Sequence, residues 1–231
     1  MLTSADIDER WPVSPKSTVY GESKVEAEAL VSAANCATMS TCILRPSTLF
    51  GEGDHQLVPS LHACIAKSET PYQIGDGTNL WDASYVGDVA FAHVLAVRNL
   101  LTTGTAAGEI FFIQNNEPVS FREFCLAVWK EFGHYPPFQV RIPQSLGLVV
   151  GVFAEAVSWL TGKENTFSRK SIMDACATRY ASGEKAERIL GYTPIVGLEE
   201  GLRRGCKDYA QRLRIRREES LGDKTLEKAP A

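Results

Sequence analysis

The chain has 231 residues, with 24 basic and 28 acidic side chains and a formal net charge of −4. This balance excludes a strongly basic nucleic-acid-binding protein and a highly charged disordered chain, so no nucleic-acid partner is expected. With 44% hydrophobic and 23% charged residues, the composition is that of an ordinary globular protein.

The first half of the chain predicts alternating helices and strands. Strong helix formers precede an apolar segment that ends at Pro46, and proline is typical of a strand terminus. A Gly-Asp-Gly-Thr turn between two apolar runs predicts a β-hairpin. We therefore predict a helix over 19–34, a strand over 41–46, a helix over 57–66, a hairpin of 72–74 with 80–86, a helix over 88–101 and a strand over 109–114.

The second half is more helical. Ser120 and Glu123 form a capping box that opens a helix, and Gly133 closes it. A strand over 138–142 follows. Further helices are predicted over 145–160, 168–175, 182–190 and 198–214, and the residues after Arg214 are predicted to be a polar tail. Strands that alternate with helices indicate an α/β fold.

The cysteines and histidines indicate neither disulfides nor a metal site. Six cysteines are scattered singly without a Cys-x-x-Cys pair, which is typical of reduced thiols in a cytoplasmic protein. His62 and Cys64 lie two positions apart, but no second pair completes a zinc site. The first residues lack the basic and apolar segments of a signal peptide. These features predict a cytoplasmic location and no metal.

An unusually apolar segment spans 146–160. Its residues suit either a buried core helix or an interfacial helix on a membrane surface, and both interpretations stay open. The basic residues between Arg203 and Arg217 could contact anionic lipid, or they could simply form a solvated helix face.

The most specific chemical signal is Tyr20-Gly-Glu-Ser-Lys24. Positions four apart lie on one face of a helix, which places Lys24 beside the Tyr20 ring. A nearby ammonium group favours the phenolate form of a tyrosine, and a phenolate can accept a proton from an alcohol. With seven tyrosines in the chain, the spacing alone is a weak signal, and an exposed helix face would explain it equally well.

Several further segments follow in one order and give the pair a context. Together with Tyr20 and Lys24 they resemble the extended short-chain dehydrogenase/reductases, and more narrowly the 3β-hydroxysteroid dehydrogenase branch with its sterol-4α-carboxylate 3-dehydrogenases. The resemblance covers about 5–210. The segments are DERWP at 8–12, KVEAE at 24–28, LRP at 44–46, GDG at 75–77, DASYVGDVA at 82–90, KAERILGYTP at 185–194 and LEEGL at 198–202.

This resemblance implies roles for particular residues. Tyr20 would be the general base, and Lys24 would activate it and bind the nicotinamide ribose. Pro46 and Ser47 would line the nicotinamide of NAD or NADP. Phe50, Trp81 and Tyr85 are candidates for an apolar substrate wall, although such residues are more often plain core.

One feature of the family is missing from the sequence. The G-x-G-x-x-G loop that binds the cofactor pyrophosphate is not present, since the Gly51-x-Gly53 and Gly75-x-Gly77 pairs lack the third glycine. We therefore expect the C-terminal part of a Rossmann-type extended short-chain dehydrogenase fold, with a mostly helical substrate-binding portion. On this interpretation 1–214 form a partial NAD(P)-binding and substrate-binding domain, and 215–231 a polar tail.

The resemblance implies an NAD(P)-dependent oxidoreductase that oxidises the 3β-hydroxyl of a sterol, steroid or triterpenoid, with loss of a C-4 carboxyl where one is present. Two alternatives remain. One is an enzyme like the nucleotide-sugar epimerases, which use the same Tyr/Lys pair. The other is a non-catalytic remnant that docks on a partner. A homodimer is an open expectation for the assembly.

Overall fold

The computed structural model describes residues 4–12, 18–162 and 168–226. Its helices are α1 (Val19–Ala33), α2 (Leu57–Ala66), α3 (Val86–Leu101), α4 (Phe121–Glu131), α5 (Gln144–Thr161), α6 (Arg169–Cys176), α7 (Glu184–Leu190) and α8 (Leu198–Leu226). Its strands are β1 (Ser4–Ile7), β2 (Ile43–Pro46), β3 (Leu49–Phe50), β4 (Tyr72–Ile74), β5 (Leu80–Trp81), β6 (Ser84–Tyr85), β7 (Ile110–Ile113), β8 (Val119–Ser120), β9 (Val140–Ile142) and β10 (Arg179–Ala181).

The strands form short, mostly parallel pairs. β2 runs parallel to β7, β3 to β6 and β4 to β9. A further sheet has the order β1-β10-β5-β8, in which β5 and β8 are antiparallel. Parallel neighbours need crossover connections, and helices provide them here. The predicted α/β class is confirmed.

Two apolar clusters hold the elements together. The first joins β3, β6, α2, α4 and α8, and its members include Phe50, Leu61, Phe124, Trp129 and Leu202. The second joins α3, β7 and α7 around Ala92, Phe111, Ile113, Leu190 and Tyr192. By contrast, none of the side chains of α1 is fully buried.

The predicted hairpin of 72–74 with 80–86 is wrong. The turn itself forms, because Gly75 and Gly77 both adopt φ of +79° and the Asp76 carboxylate accepts the Thr78 N–H at 2.9 Å. However, β4 pairs with the distant β9, and β5 pairs with β10 and β8. The turn sends the chain to a different sheet instead of folding it back on itself.

The C-terminal prediction also needs correction. Helix α8 was expected to end near Arg214, but it continues to Leu226. The segment from Arg214 to Leu226 lacks apolar periodicity and contains mostly good helix formers, which extend a helix whose first turns are already fixed by packing. The domain division at 214 stays a prediction. Strands β1 and β10 were not predicted, because each is too short to show a clear alternation.

Candidate active site

Tyr20 and Lys24 lie on one face of α1. The helix begins where it does because the Thr18 side chain accepts the N–H of Gly21 at 3.2 Å. The Lys24 Nζ atom lies 5.4 Å from the centroid of the Tyr20 ring. The Tyr20 side chain is 71% exposed, so its hydroxyl is accessible. The spacing predicted from the sequence therefore gives a tyrosine with a cation beside it.

Polar contacts join helix α1 to β2 and to the residue Thr41 before it. The Arg45 Nε atom donates to the Glu28 carboxylate at 2.8 Å, and a second guanidinium N–H donates to the other carboxylate oxygen at 2.5 Å. Both side chains are about one-fifth exposed. The Thr41 hydroxyl adds a bond to the Val31 carbonyl at 2.9 Å. Glu28 and Arg45 are thus positioning residues that the sequence analysis did not single out, although both lie in the quoted segments.

Pro46 and Ser47 lie at the end of β2. Pro46 is opposite Ile113 in the parallel pair and is exposed. The Ser47 N–H donates to the Ile113 carbonyl at 3.4 Å. The structure therefore places both residues at the end of the strand that the Glu28–Arg45 pair ties to α1. Their role in lining a nicotinamide stays a prediction.

Phe50 and Tyr85 are buried inside the protein, and Trp81 is half-buried. Phe50 is 1% exposed, and its ring centroid lies 5.9 Å from that of Tyr85. The Tyr85 hydroxyl donates to Glu52 at 2.7 Å, and burial raises the pKa of this tyrosine. The half-buried Trp81 donates its indole N–H to the Ala177 carbonyl at 2.9 Å. These packed positions favour a core role, and the proposed substrate wall stays a prediction.

The loop at 51–55, which follows β3, is held by α8. The Asp208 carboxylate accepts the Gly53 N–H at 3.0 Å, and the Arg212 guanidinium donates to the Asp54 carbonyl at 2.7 Å. Asp54 in turn caps α2 by accepting the N–H of Val58 at 2.8 Å. Sequence reasoning missed this arrangement because α8 lies about 150 residues away along the chain.

Two buried acids from the segment 82–90 organise the neighbouring chain. The Asp82 carboxylate accepts the Asn116 N–H at 2.9 Å, while its other oxygen has no hydrogen-bond partner among the described residues. Burial raises the pKa of Asp82 to about 6. Both oxygens of Asp88 accept backbone N–H groups, from Ile195 at 3.2 Å and Val196 at 3.1 Å. These contacts give the segment a structural role.

Helix α5 is an apolar helix on the surface. Only Gly147 and Gly151 are buried, and they face Ile172 of α6, where a Cβ would lie within 3.3 Å of its side chain. Phe153 is 68% exposed and Trp159 is 84% exposed. By length and composition alone, the helix could cross a membrane. Only 11% of it is buried within the described part of the protein. The alternative of a buried core helix is therefore wrong for 146–160.

Comparison with known proteins supports the family resemblance seen in the sequence. Residues 3–144 match the model of the 3-beta hydroxysteroid dehydrogenase/isomerase family. The sterol-4-alpha-carboxylate 3-dehydrogenase (decarboxylating) of Schizosaccharomyces pombe is 40% identical over 201 residues, which cover 86% of this chain and 59% of that protein. The corresponding Saccharomyces cerevisiae protein is also 40% identical, with 84% of this chain and 58% of that protein covered. The chain thus spans less than two thirds of these relatives.

Solved structures share the fold at lower sequence identity. A UDP-glucuronic acid 4-epimerase from Bacillus cereus, in complex with NAD, superposes with a TM-score of 0.65 at 20% identity. It covers 91% of this chain, and the chain covers 57% of it. A dTDP-glucose 4,6-dehydratase from Bacillus anthracis, in complex with NAD, gives a TM-score of 0.59 at 19% identity, with coverages of 91% and 58%. These likenesses support the Rossmann-type extended fold.

Proposed function

Because the chain belongs to the 3-beta hydroxysteroid dehydrogenase/isomerase family, we propose that it forms the proton-transfer and substrate-binding part of an NAD(P)-dependent oxidoreductase. The reaction is oxidation of the 3β-hydroxyl of a sterol, steroid or triterpenoid to a ketone. A C-4 carboxyl is lost where the substrate carries one. Relatives named as decarboxylating sterol-4-alpha-carboxylate 3-dehydrogenases, at 40% identity, support this choice of substrate.

The observation that carries the proposal is the position of Lys24 Nζ, 5.4 Å from the Tyr20 ring centroid on the exposed face of α1. The Tyr20 phenolate takes the proton of the substrate hydroxyl as the C3–H bond breaks. The Lys24 ammonium stabilises the phenolate in this step. Glu28 and Arg45 keep the helix that carries both groups against β2.

The residues of this chain fit one end of a nicotinamide cofactor. Tyr20 and Lys24 present a hydroxyl and an ammonium group at exposed positions of α1, so both can bond ribose hydroxyls. Pro46 is exposed at the strand end and contributes shape and no donor. When bound, the nicotinamide ring supplies the hydride acceptor.

Loss of the carboxyl follows from the oxidation. The new C3 ketone lies β to the C-4 carboxylate. When the bond between C-4 and the carboxyl carbon breaks, its electron pair enters the ketone as an enolate, and carbon dioxide leaves. The enolate then takes a proton to give the ketone. The decarboxylation itself needs no oxidant or reductant.

An epimerase-like activity on sugar nucleotides is the second candidate, since the fold is shared with such enzymes. The apolar surface of α5 favours the sterol, because a sugar nucleotide is recognised by polar and basic groups. The third candidate, a non-catalytic partner protein, is favoured by one feature: no side chain of α1 is fully buried, so its outer face is accessible to another chain.

The test is an assay of the protein as its source cells make it, with a 4α-carboxysterol or a UDP-sugar, each with NAD or NADP. We expect reduced cofactor and carbon dioxide from the sterol only. Tyr20→Phe should lower turnover by about 10²-fold or more. The matched control is Tyr135→Phe, which changes another tyrosine of similar exposure (69%) and should leave turnover unchanged. Turnover of the UDP-sugar alone, or equal activity of the Tyr20→Phe variant, would contradict the proposal.

We further propose that α5 contacts the cytoplasmic surface of the endoplasmic reticulum membrane, where sterols partition. The exposed Phe153, Trp159 and Leu160 support this placement. The single acidic residue of the helix, Glu155, is paired with Arg169 at 2.9 Å, which reduces the cost of bringing it near lipid. A homodimer remains a hypothesis for the assembly.

A further inference from the structure

A groove of about 330 Å³ lies between α4 and the first turns of α8. Its floor is apolar and is formed by Val119 and Phe124 on one side and by Leu198 and Leu202 on the other. A neighbouring hollow of about 440 Å³ shares Leu198 with it and extends it around the start of α8. Together they form the α4–α8 groove, whose described lining residues do not include the proposed proton-transfer pair.

The rim of the α4–α8 groove is acidic. Five of its side chains are carboxylates and two are cations, which leaves three negative charges in excess. The whole chain has 28 acidic and 24 basic side chains, so this local excess is much larger than the average over the protein. A ligand that covers the groove is therefore favoured if it supplies positive charge. The acidic side chains are Glu117, Glu123, Glu131, Glu199 and Glu200.

Hydrogen bonds keep some of these carboxylates ionised. Those from Arg203 and Arg204 lower the pKa of Glu200 to about 2. Hydrogen bonds with the Ser120 side chain and backbone likewise lower the pKa of Glu123. Since a lowered pKa favours the charged form of a carboxyl group, the rim keeps its negative charge at neutral pH.

Two carboxylates face each other across the apolar floor. Glu131 ends α4 and Glu199 lies in the first turn of α8, and both are exposed. An apolar side chain that enters the groove between them buries surface, which supplies affinity. A cation on either side of that apolar group can pair with each glutamate, which sets the orientation of the ligand. An acidic peptide or a nucleic-acid backbone is repelled by the same rim.

We propose that the α4–α8 groove docks a Lys/Arg-rich segment of a partner protein, with one or two large apolar side chains between its cations. The apolar side chains lie against Phe124, Leu198 and Leu202, and the flanking cations pair with Glu131 and Glu199. Because the groove does not include the proposed proton-transfer pair, this inference goes beyond the proposed dehydrogenase function and does not rest on it.

The test follows the fluorescence anisotropy of a labelled peptide, KRLKLRK, with the protein as its source cells make it. We expect saturable binding of one peptide per chain, which weakens as the salt concentration rises. The peptide KRSKSRK lacks the apolar side chains and should bind about ten-fold more weakly or worse. No binding of KRLKLRK, or equal binding of the two peptides, would overturn the proposal.

A matched pair of double variants tests the rim. Glu131→Lys/Glu199→Lys should weaken binding of KRLKLRK by about ten-fold or more. Glu22→Lys/Glu26→Lys makes the same change of net charge at exposed positions of α1 and should bind within about two-fold of the wild type. If circular dichroism shows that the rim variant does not fold, Glu131→Gln/Glu199→Gln serves in its place. An equal loss of binding in the rim and α1 variants would overturn the proposal.

A second copy of this chain is the other occupant that the test detects, because the exposed Ile215 of α8 lies between Arg214 and Arg216. Light scattering without peptide should therefore give the same mass for the wild type and the rim variant. A lower mass for the rim variant would assign the groove to a second copy and overturn the proposal of a separate partner. Tyr20→Phe should bind KRLKLRK normally, so a failure of turnover and a failure of docking are distinguishable.

Discussion

The Glu28 carboxylate and the Arg45 guanidinium are joined by two hydrogen bonds, and this pair connects the helix of Tyr20 and Lys24 to the strand that ends at Pro46. No side chain of α1 is fully buried, and the Glu28–Arg45 pair is one of the contacts that attach the helix. The Glu28–Arg45 ion pair is therefore expected to help hold α1 against β2.

Breaking this pair should loosen α1. We expect Glu28→Ala to lower the free energy of unfolding by about 1 kcal/mol and to speed amide hydrogen exchange over Tyr20–Lys24. Glu26→Ala, at an exposed position of the same helix, is the control and should change neither quantity. A double-mutant cycle with Arg45→Ala isolates the coupling. Exchange rates that are the same in the Glu28→Ala and Glu26→Ala variants would contradict this role.

Asp82 should make stability depend on pH. Its pKa is raised from 3.8 to about 6 in the folded protein, so between these values the folded state holds a proton that the unfolded state has lost. Its contribution to stability therefore falls as pH rises from about 4 to about 6, by at most about 3 kcal/mol. Asp82→Asn removes this dependence, and we expect it to be more stable than the wild type at pH 7 in urea unfolding.

Asp88→Asn is the matched control for that experiment. Both oxygens of Asp88 accept backbone N–H groups, whereas one oxygen of Asp82 has no partner among the described residues. An amide in place of Asp88 leaves one N–H without its acceptor and should destabilise the protein by about 1–3 kcal/mol at pH 7. Equal losses of stability in the two variants at pH 7 would contradict a raised pKa for Asp82.

Gly205 should not tolerate a side chain. A Cβ there would lie 2.9 Å from the backbone of Gly51, where α8 meets the loop after β3. In an open helix Gly→Ala stabilises by about 1 kcal/mol, but overpacking costs about 1–3 kcal/mol, so Gly205→Ala should lower the melting temperature. Lys207→Ala on the exposed side of α8 should stay within about 0.5 kcal/mol of the wild type. A higher melting temperature for Gly205→Ala would show that α8 packs differently.

The exposed surface of α5 should bind lipid. The double variant Phe153→Ser/Trp159→Ser removes two large exposed side chains, and burial of each is worth about 1.5–3 kcal/mol. We expect the partition constant for phosphatidylcholine–phosphatidylserine vesicles, measured by sedimentation, to fall by about 10²-fold or more. Leu101→Ser, at an 80% exposed position of α3, is the control and should sediment as the wild type does. An equal loss of vesicle binding in the double variant and in Leu101→Ser would contradict a specific role for α5 in lipid binding.

The sequence by itself determined the features that depend on neighbouring residues. The capping box of Ser120 and Glu123 forms as predicted, and α2 has its predicted bounds. Lys24 lies beside Tyr20 because residues four apart share a helix face. The family resemblance, which rests on short local segments, is confirmed by the family match over residues 3–144 and by a relative that is 40% identical over 86% of this chain.

Only the tertiary structure decided the relations between distant segments. Strand β4 pairs with β9 and not with β5, since the partner of a short strand is set by the helices that pack around it. Whether Phe50 faces a ligand or the core depends on Tyr85, Phe124 and Gly201, which come from three other elements. Burial raises the pKa of Asp82, and this burial arises from the packing of several distant segments. The same is true of the α4–α8 groove. No single segment of the sequence could have predicted either feature.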